Sequence, residues 1–144
     1  MGRPPKFCVT ADIIVFTRIG KALQVLLIRR ANPPFQGKWA LPGGFVEEDE
    51  TLEASAMREL EEETGVRGVR IEQLHAFGDP GRDPRGRTIS VAFSAFVKAD
   101  RARVRAGDDA GDARWHPVRR LPPLAFDHRR MIQMALGRMK GRAR

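Results

Sequence analysis

The chain has 144 residues, of which 42% are hydrophobic and 31% are charged, and its formal net charge at pH 7 is +8. This length suits one domain with a real core, and the composition argues against extensive disorder. Its apolar runs are much shorter than the roughly 20 residues of a spanning helix, and no secretory signal is evident. The single cysteine, Cys8, leaves no intramolecular disulfide. We expect a single cytoplasmic domain over 1–144.

The first half of the chain is predicted to contain strands followed by one helix. Stretches rich in β-branched and apolar residues predict strands at 8–16, 22–30 and 38–46, the last broken at Pro42-Gly43-Gly44. A turn at 19–21 makes the first two strands a hairpin. The stretch 51–64 has no proline or glycine, so it predicts a helix, with Gly65 as its C-cap.

The second half repeats this mixture of strands and a helix. Further strands are predicted at 69–77, 88–98 and 114–118, separated by a proline- and glycine-rich loop at 78–87 and a small, acidic loop at 106–112. A second helix is predicted over 127–138 with Asp127 as N-cap, followed by a frayed basic tail at 139–144. Strands mixed with two helices predict an α/β fold.

The acidic residues are concentrated in one part of the chain. Nine of the 18 lie between Glu47 and Glu63, where Arg58 is the one basic residue, so this window carries −8 and the remainder +16. A dense acidic patch on a basic protein predicts a cation site beside an anion-binding surface. Because duplex phosphates would be repelled by such a patch, we expect no nucleic-acid partner.

Three glutamates on the first predicted helix suggest the chemistry of that cation site. Glu59, Glu62 and Glu63 are spaced i, i+3 and i+4, which places them on one helical face, where like charges repel. Converging carboxylates suit a hard cation such as Mg²⁺, which also accepts substrate phosphate oxygens. Arg58 can reach Glu62 or Glu50 and orient a carboxylate. The helix would be held on the sheet by an apolar seam of Leu52, Ala56, Met57 and Leu60.

The full pattern is more specific than the helix alone. It reads Gly44-x5-Glu50-x7-Arg58-Glu59-Leu60-x-Glu62-Glu63-x-Gly65-Val66. This stretch resembles the signature box of the Nudix hydrolases without a mismatch. The resemblance implies an α/β/α sandwich with a mixed central sheet and a loop–helix–loop metal site. It also implies hydrolysis of a nucleoside diphosphate linked to another moiety.

The resemblance further assigns roles to individual residues. The cation, Mg²⁺ or alternatively Mn²⁺, would be bound by Glu59, Glu62 and Glu63, with the Gly43 carbonyl completing the shell. Arg58 and Glu50 would be the pair that orients the catalytic helix. The general base would be Glu62 or Glu59, and the alternative is an acid from a later loop, Asp108 or Asp109.

Two stretches outside the box bear on the substrate. Residues 78–97 (GDPGRDPRGRTISVAFSAFV) and 124–128 (LAFDH) resemble the ADP-ribose pyrophosphatase branch of the family. This resemblance implies hydrolysis of ADP-ribose to AMP and ribose 5-phosphate. Arginine suits phosphate binding and aromatic rings suit adenine stacking. The substrate-binding candidates are Arg29, Arg30, Arg85 and Arg87 for the phosphates, and Trp39, Phe35 and Phe45 for the base.

Other functions fit the same sequence. A pyrophosphohydrolase acting on 8-oxo-dGTP or another nucleoside triphosphate needs the same box. A non-catalytic ADP-ribose-binding regulator is the other alternative, but such relatives often have degraded boxes and carry a later DNA-binding domain, for which we expect this chain to be too short. His75, His116 and His128 share no metal-ligand spacing, so they are expected to be structural or at most rim contacts. The sequence leaves the oligomeric state open, a homodimer included.

Overall fold

The computed structural model describes residues 2–105 and 110–142. Within these ranges, two α-helices accompany a seven-stranded sheet. The helices are α1 (Leu52–Thr64) and α2 (His128–Arg142). The strands are β1 (Cys8–Ile19), β2 (Ala22–Arg30), β3 (Trp39–Ala40), β4 (Gly43–Phe45), β5 (Glu72–Phe77), β6 (Thr88–Phe96) and β7 (Ala110–Pro117). Among the described helices, none is long and apolar enough to cross a membrane.

β1 lies at the centre of the sheet between strands of both directions. It pairs in parallel with β6 and antiparallel with β2 and β4. β2 pairs antiparallel with β3 and β7, and β5 pairs antiparallel with β6. The sheet is therefore mixed. Ile13 and Ile14 of β1 are both fully buried because elements cover both faces of this central strand.

The two helices pack on opposite faces of the sheet. Ile13 belongs to a core cluster with Leu60 of α1, whereas its neighbour Ile14 belongs to a second cluster with Met131 of α2. This alternation follows from the two-residue period of a strand. The α/β/α sandwich is confirmed, and the seam that holds α1 on the sheet includes Ala56 as predicted.

The ends of α1 follow from its sequence. The Thr51 hydroxyl accepts a hydrogen bond from the Ala54 amide at 3.0 Å, which satisfies one of the free N–H groups of the first turn. Gly65 ends the helix in the left-handed region at φ +77°, which glycine adopts without the penalty that a Cβ would bring. These caps fix the first and last residues of the helix that carries the glutamates.

Three of the predicted boundaries are wrong. The stretch 38–46 is divided into β3 and β4 at Leu41-Pro42, so the predicted break is confirmed at Pro42, but Gly43 and Gly44 lie inside β4, where they pair with Asp12 and Ala11 of β1. The predicted frayed tail is helical as far as Arg142, because Met139 packs against the core cluster on the α2 face. β7 begins at Ala110, inside the predicted acidic loop, since its pairing with β2 runs to Arg30.

Candidate active site

A cleft of about 540 Å³ is lined by four of the charged side chains that the sequence singled out, Arg30, Glu59, Glu63 and Arg85. This volume is in the range of small-molecule sites. Its lining includes an acidic cluster from β1 and α1, consisting of Asp12, Glu59 and Glu63. It also includes an arginine cluster from β2 and the 78–87 loop, consisting of Arg30, Arg82 and Arg85. The acidic and basic side chains from which a cation site and an anion-binding surface were predicted therefore line one cleft.

Glu63 is the most constrained member of the acidic cluster. Its side chain accepts a hydrogen bond from the Gly43 amide at 3.0 Å, and only 8% of the residue is exposed. Burial, together with the neighbouring Glu59 and Asp12 carboxylates, raises the pKa of Glu63 to about 9. Without a cation, this carboxyl therefore holds a proton at neutral pH.

Asp12 was not predicted as a site residue. Its Oδ2 accepts hydrogen bonds from the Thr10 hydroxyl at 2.9 Å and from the Ser90 hydroxyl, so the carboxylate is fixed between β1 and β6. Only 6% of the residue is exposed. The sequence offered one hint, an aspartate inside a run of apolar residues, because an acid in a buried strand needs a compensating role.

The two glycines of β4 let these carboxylates approach the backbone. A Cβ on Gly43 would collide with Asp12 Oδ1 and would lie 2.5 Å from the Ala11 carbonyl oxygen. A Cβ on Gly44 would lie 2.5 Å from Glu59 Oε1. Gly43 therefore requires glycine, because a side chain there would meet the β1 backbone. At Gly44 a side chain would instead displace the Glu59 carboxylate.

Arg58 contacts both of its predicted partners, Glu50 and Glu62, and also contacts Glu59. Its Nε and Nη2 donate to the two carboxylate oxygens of Glu50 at 2.6 and 2.9 Å. Its Nη1 donates to Glu59 at 3.0 Å and to Glu62 at 3.2 Å. The guanidinium lowers the pKa of Glu50 to about 2. Arg58 thus orients carboxylates from the β4–α1 loop and from two turns of α1.

The predicted cation ligands are not equally placed. Glu59 and Glu63 line the cleft, whereas the Glu62 side chain is 56% exposed and is bound to Arg58. Within residues 2–105 and 110–142, no three acidic, histidine or cysteine side chains already form a metal-ligand group. The donor set nevertheless fits a hard divalent cation, because its donors are oxygens and Glu63 otherwise needs a proton to relieve repulsion.

The arginine cluster is organised by carboxylates from within the same region. Arg82, whose side chain is 5% exposed, donates to both oxygens of Asp127 at 2.6 and 3.0 Å. Arg85 donates to both oxygens of the buried Asp83 at 2.8 and 3.1 Å. Arg82, Asp83 and Asp127 were not predicted as site residues. The Arg82–Asp127 pair depends on how the 78–87 loop folds against the start of α2, whereas the Arg85–Asp83 pair lies within the loop.

Arg30 differs from the other two arginines. Its Nε donates to the Pro34 carbonyl at 2.7 Å, and it forms no ion pair with any described carboxylate. Burial, and then the charge of Arg85, lower the pKa of Arg30. A half-buried guanidinium with unused donors suits an anionic ligand group.

The structure separates the other substrate-binding candidates. Arg29 donates to the Gly37 carbonyl at 3.2 Å and does not line the cleft, since successive strand residues point to opposite faces. Trp39 packs edge-on against His116 at 4.4 Å, and Arg87 lies over Phe7 at 5.1 Å, both away from the lining residues. Asp108 and Asp109 lie outside the described residues.

Three aromatic residues shape the cleft: Phe45, which was predicted as a candidate for the base, and Phe126 and His128, which were not predicted as binding residues. Phe45 is 43% exposed and lies 4.7 Å below the Arg85 guanidinium, and Phe126 also lines the cleft. His128 is buried there, and its Nδ1 accepts a hydrogen bond from the Leu41 amide at 3.0 Å. Burial lowers the pKa of His128, so its ring is neutral with the proton on Nε2.

Comparison with known proteins agrees with this geometry. A family model described as the NUDIX domain matches residues 6–135. An ADP-ribose pyrophosphatase from Methanocaldococcus jannaschii is 45% identical over 80% of this chain and 67% of its own length. An ADPR responsive transcriptional repressor, NtrR, from Acinetobacter baylyi is 36% identical over 97% of this chain, which spans 57% of that relative.

A solved structure extends the comparison to a ligand complex. The NUDIX domain of Shewanella oneidensis NrtR, crystallised with ADP ribose, has a TM-score of 0.89 and 37% identity, and the match covers 94% of this chain and 90% of that one. The family model and the relatives cover most of this chain, including the glutamate-bearing helix and the cleft around it. The chain therefore belongs to the Nudix family.

Proposed function

We propose that this protein hydrolyses the pyrophosphate bond of ADP-ribose, yielding AMP and ribose 5-phosphate, with Mg²⁺ as its cofactor and Mn²⁺ as an alternative. The observation that carries the proposal is the cleft in which the buried Glu63 and the half-buried Glu59 of an intact Nudix helix meet Arg30, an arginine without an ion pair to any described carboxylate. The Methanocaldococcus pyrophosphatase and the Shewanella complex with ADP ribose support the choice of substrate.

The proposed chemistry divides between the two clusters. Glu59 and Glu63, with Glu62 and the Gly43 carbonyl, would hold a divalent cation, which neutralises the diphosphate oxygens and acidifies a bound water. Glu59 or Glu62 accepts the proton of the attacking water. Arg58 restrains both of these carboxylates through Nη1, so the base is oriented before the substrate arrives.

The phosphates themselves are assigned to the arginine cluster. Arg30 stabilises the charge that develops on the departing phosphate, because its guanidinium lines the cleft and forms no described ion pair. Arg85 supports it from the 78–87 loop while remaining bound to Asp83. Arg29, Trp39 and Arg87 lie outside the cleft lining and have no part in the proposal.

A substrate panel tests the proposal. ADP-ribose, NADH, a dinucleoside polyphosphate and 8-oxo-dGTP are each incubated with Mg²⁺ or Mn²⁺, and products are identified by chromatography. We expect the highest kcat/KM for ADP-ribose, release of AMP, and no turnover after EDTA treatment. Preferred hydrolysis of 8-oxo-dGTP or another triphosphate would instead establish the nucleotide-pool alternative.

A second candidate function is ADP-ribose binding without turnover. The similarity to the Acinetobacter repressor favours it, although this chain spans only 57% of that relative. Tight ADP-ribose binding without product formation would support the regulator. For the enzyme, we propose a small-molecule nucleotide as the partner and no nucleic acid, since the −8 window flanks the cleft. We also propose a cytoplasmic location from the single, unpaired cysteine.

A further inference from the structure

Three consecutive residues, the last two before α2 and its first residue, each contact a different part of the cleft. Phe126, Asp127 and His128, which we call the junction segment, line the cleft or bind residues that line it. None of the three carries the reaction described above. Their contacts nevertheless connect the arginine cluster to the backbone that leads to the acidic cluster.

Phe126 fixes two guanidiniums at one ring. The Arg30 guanidinium lies 5.1 Å from the ring centroid, and the Arg85 guanidinium lies 5.4 Å from it. The attraction of cations to the ring offsets part of the repulsion between the two arginines. The Phe126 backbone has φ +52°, a strained conformation for a residue with a bulky side chain. Its ring also packs edge-on against Phe35 at 4.8 Å, which helps to hold this conformation.

Asp127 fixes the loop that carries the arginines. Its two oxygens accept hydrogen bonds from the Arg82 Nε and Nη2, and the Arg82 side chain is only 5% exposed. A second ion pair, Arg130 with Asp79, joins the same loop to the same helix, but both side chains are more than half exposed. A buried bidentate pair restrains its partners more strongly than an exposed single contact.

His128 fixes the backbone on the acidic side. Its Nδ1 accepts the Leu41 amide at 3.0 Å, two residues before Gly43. The Gly43 amide in turn donates to Glu63 at 3.0 Å. A displacement of His128 would therefore shift the backbone from Leu41 to Gly43 and, with it, the Glu63 carboxylate.

We propose that the junction segment is a positioning element, which sets the separation between the anion-binding arginines and the cation-binding carboxylates. Through Phe126 it controls affinity for the diphosphate, and through His128 it controls affinity for the cation. Asp127 holds the loop to which Arg85 belongs. The inference rests on the proposed function, since it assumes that a diphosphate and a cation occupy the two clusters together.

The test measures the two affinities separately, without turnover. ADP binding is followed by calorimetry in EDTA, and Mn²⁺ binding by the electron paramagnetic resonance of the free ion. We expect Phe126→Leu to weaken ADP binding about tenfold and Phe126→Tyr to keep it within about twofold, because tyrosine retains the ring. Phe96→Leu is the matched control, since Phe96 is 53% exposed and does not line the cleft.

The other two residues are tested in the same assays. We expect His128→Leu to weaken Mn²⁺ binding about tenfold, and His128→Asn to restore most of it, because the asparagine oxygen can accept the Leu41 amide. Asp127→Asn should weaken ADP binding by about the same factor as Phe126→Leu. Asp79→Asn removes the exposed ion pair of the same loop and is expected to change neither affinity.

The pattern of effects distinguishes positioning from general destabilisation. Equal losses of both affinities in Phe126→Leu and His128→Leu, or failure of both conservative variants to restore binding, would overturn the inference. So would a Phe126→Leu protein that binds ADP as the Phe96→Leu control does. If the variants show the expected pattern of affinities but the wild-type chain hydrolyses no panel substrate, the inference stands and the proposed function fails.

Discussion

The acidic and arginine clusters of the cleft are stabilised in different ways. Each of two cleft arginines, Arg82 and Arg85, is neutralised by a carboxylate at less than 3 Å. Glu63 forms no ion pair with a described basic side chain. Its burial and the neighbouring carboxylates raise its pKa. The arginine cluster is therefore largely complete in the folded chain, whereas the acidic cluster lacks a positive charge. This difference supports the proposal that the acidic cluster binds a cation and that Arg30, which forms no ion pair with a described carboxylate, contacts an anion.

The largest expected effect comes from removing a charge that the cation would need. Glu63→Gln retains an oxygen that can accept the Gly43 amide but removes the carboxylate, so we expect kcat/KM for ADP-ribose to fall by about two orders of magnitude or more. The fold and melting temperature should change little at neutral pH, because the wild-type carboxyl is protonated there without metal. Steady-state kinetics and thermal melting measure both quantities.

The matched control is Glu61→Gln on the same helix. Glu61 is exposed, and its one ion pair among the described residues is with Arg67 at 3.9 Å. The variant therefore makes the same chemical change outside the cleft. Its kcat/KM should stay within about twofold of wild type. Equal losses in both variants would show that the helix contributes only general negative charge.

This part of the site could be predicted because its information is local. The spacing of Glu59 and Glu63 and the stop at Gly65 determine a helical face directly from the sequence. Asp12 could not be predicted in the same way, because its proximity depends on β4 pairing with β1. The helix alone also does not show that Glu62, which is bound to Arg58, lies outside the cleft lining.

Asp12 provides the second test of the acidic cluster. We expect Asp12→Asn to weaken Mn²⁺ affinity by roughly 10- to 100-fold, because the buried negative charge beside Glu63 favours the bound cation. Asp49→Asn makes the same change in net charge at an exposed site in the acidic window and should leave the affinity unchanged. Equal affinities in the two variants would remove Asp12 from the cation site. Mn²⁺ titration under electron paramagnetic resonance gives both constants.

Neighbouring arginines on β2 test the arginine cluster. Arg30→Gln should raise the KM for ADP-ribose about tenfold, because a charged hydrogen bond to a phosphate is lost. Arg29→Gln carries the same substitution one residue earlier, where the side chain is exposed and bound to the Gly37 carbonyl, and should leave KM unchanged. A larger effect at Arg29 would reverse the assignment of the cleft face.

The arginine cluster also shows where the sequence alone was insufficient. Arg29 and Arg30 are equivalent candidates by composition, and only the strand register separates them. Trp39 was a reasonable candidate for adenine stacking, but packing against His116 and Leu124 determines its position. The role of Phe126 could not be predicted from the sequence, because the arginines that contact its ring come from β2 and from the 78–87 loop. Long-range contacts of this kind are set by the fold as a whole.

The smallest expected effect is a pH dependence of stability in the metal-free protein. The folded pKa of Glu63 lies near 9 and thus above its unfolded value, so the folded state binds more protons between about pH 5 and pH 9. The contribution of Glu63 to stability is therefore fully present at the acidic end and is lost as the pH rises. His128 has the opposite sign, because its folded pKa is lowered, and its contribution increases up to about pH 6.5.

Comparing the wild type with Glu63→Gln isolates the contribution of the Glu63 carboxyl to stability, since His128 is present in both proteins. In EDTA, we expect the melting temperature of the wild type, relative to the variant, to fall by on the order of 5 °C between pH 6 and pH 9. Excess Mg²⁺ should reduce this difference, because cation binding displaces the proton and stabilises the charged form. A pH-independent difference between the two proteins would mean that Glu63 is already ionised without metal, and that the acidic cluster does not require a cation to hold its charge.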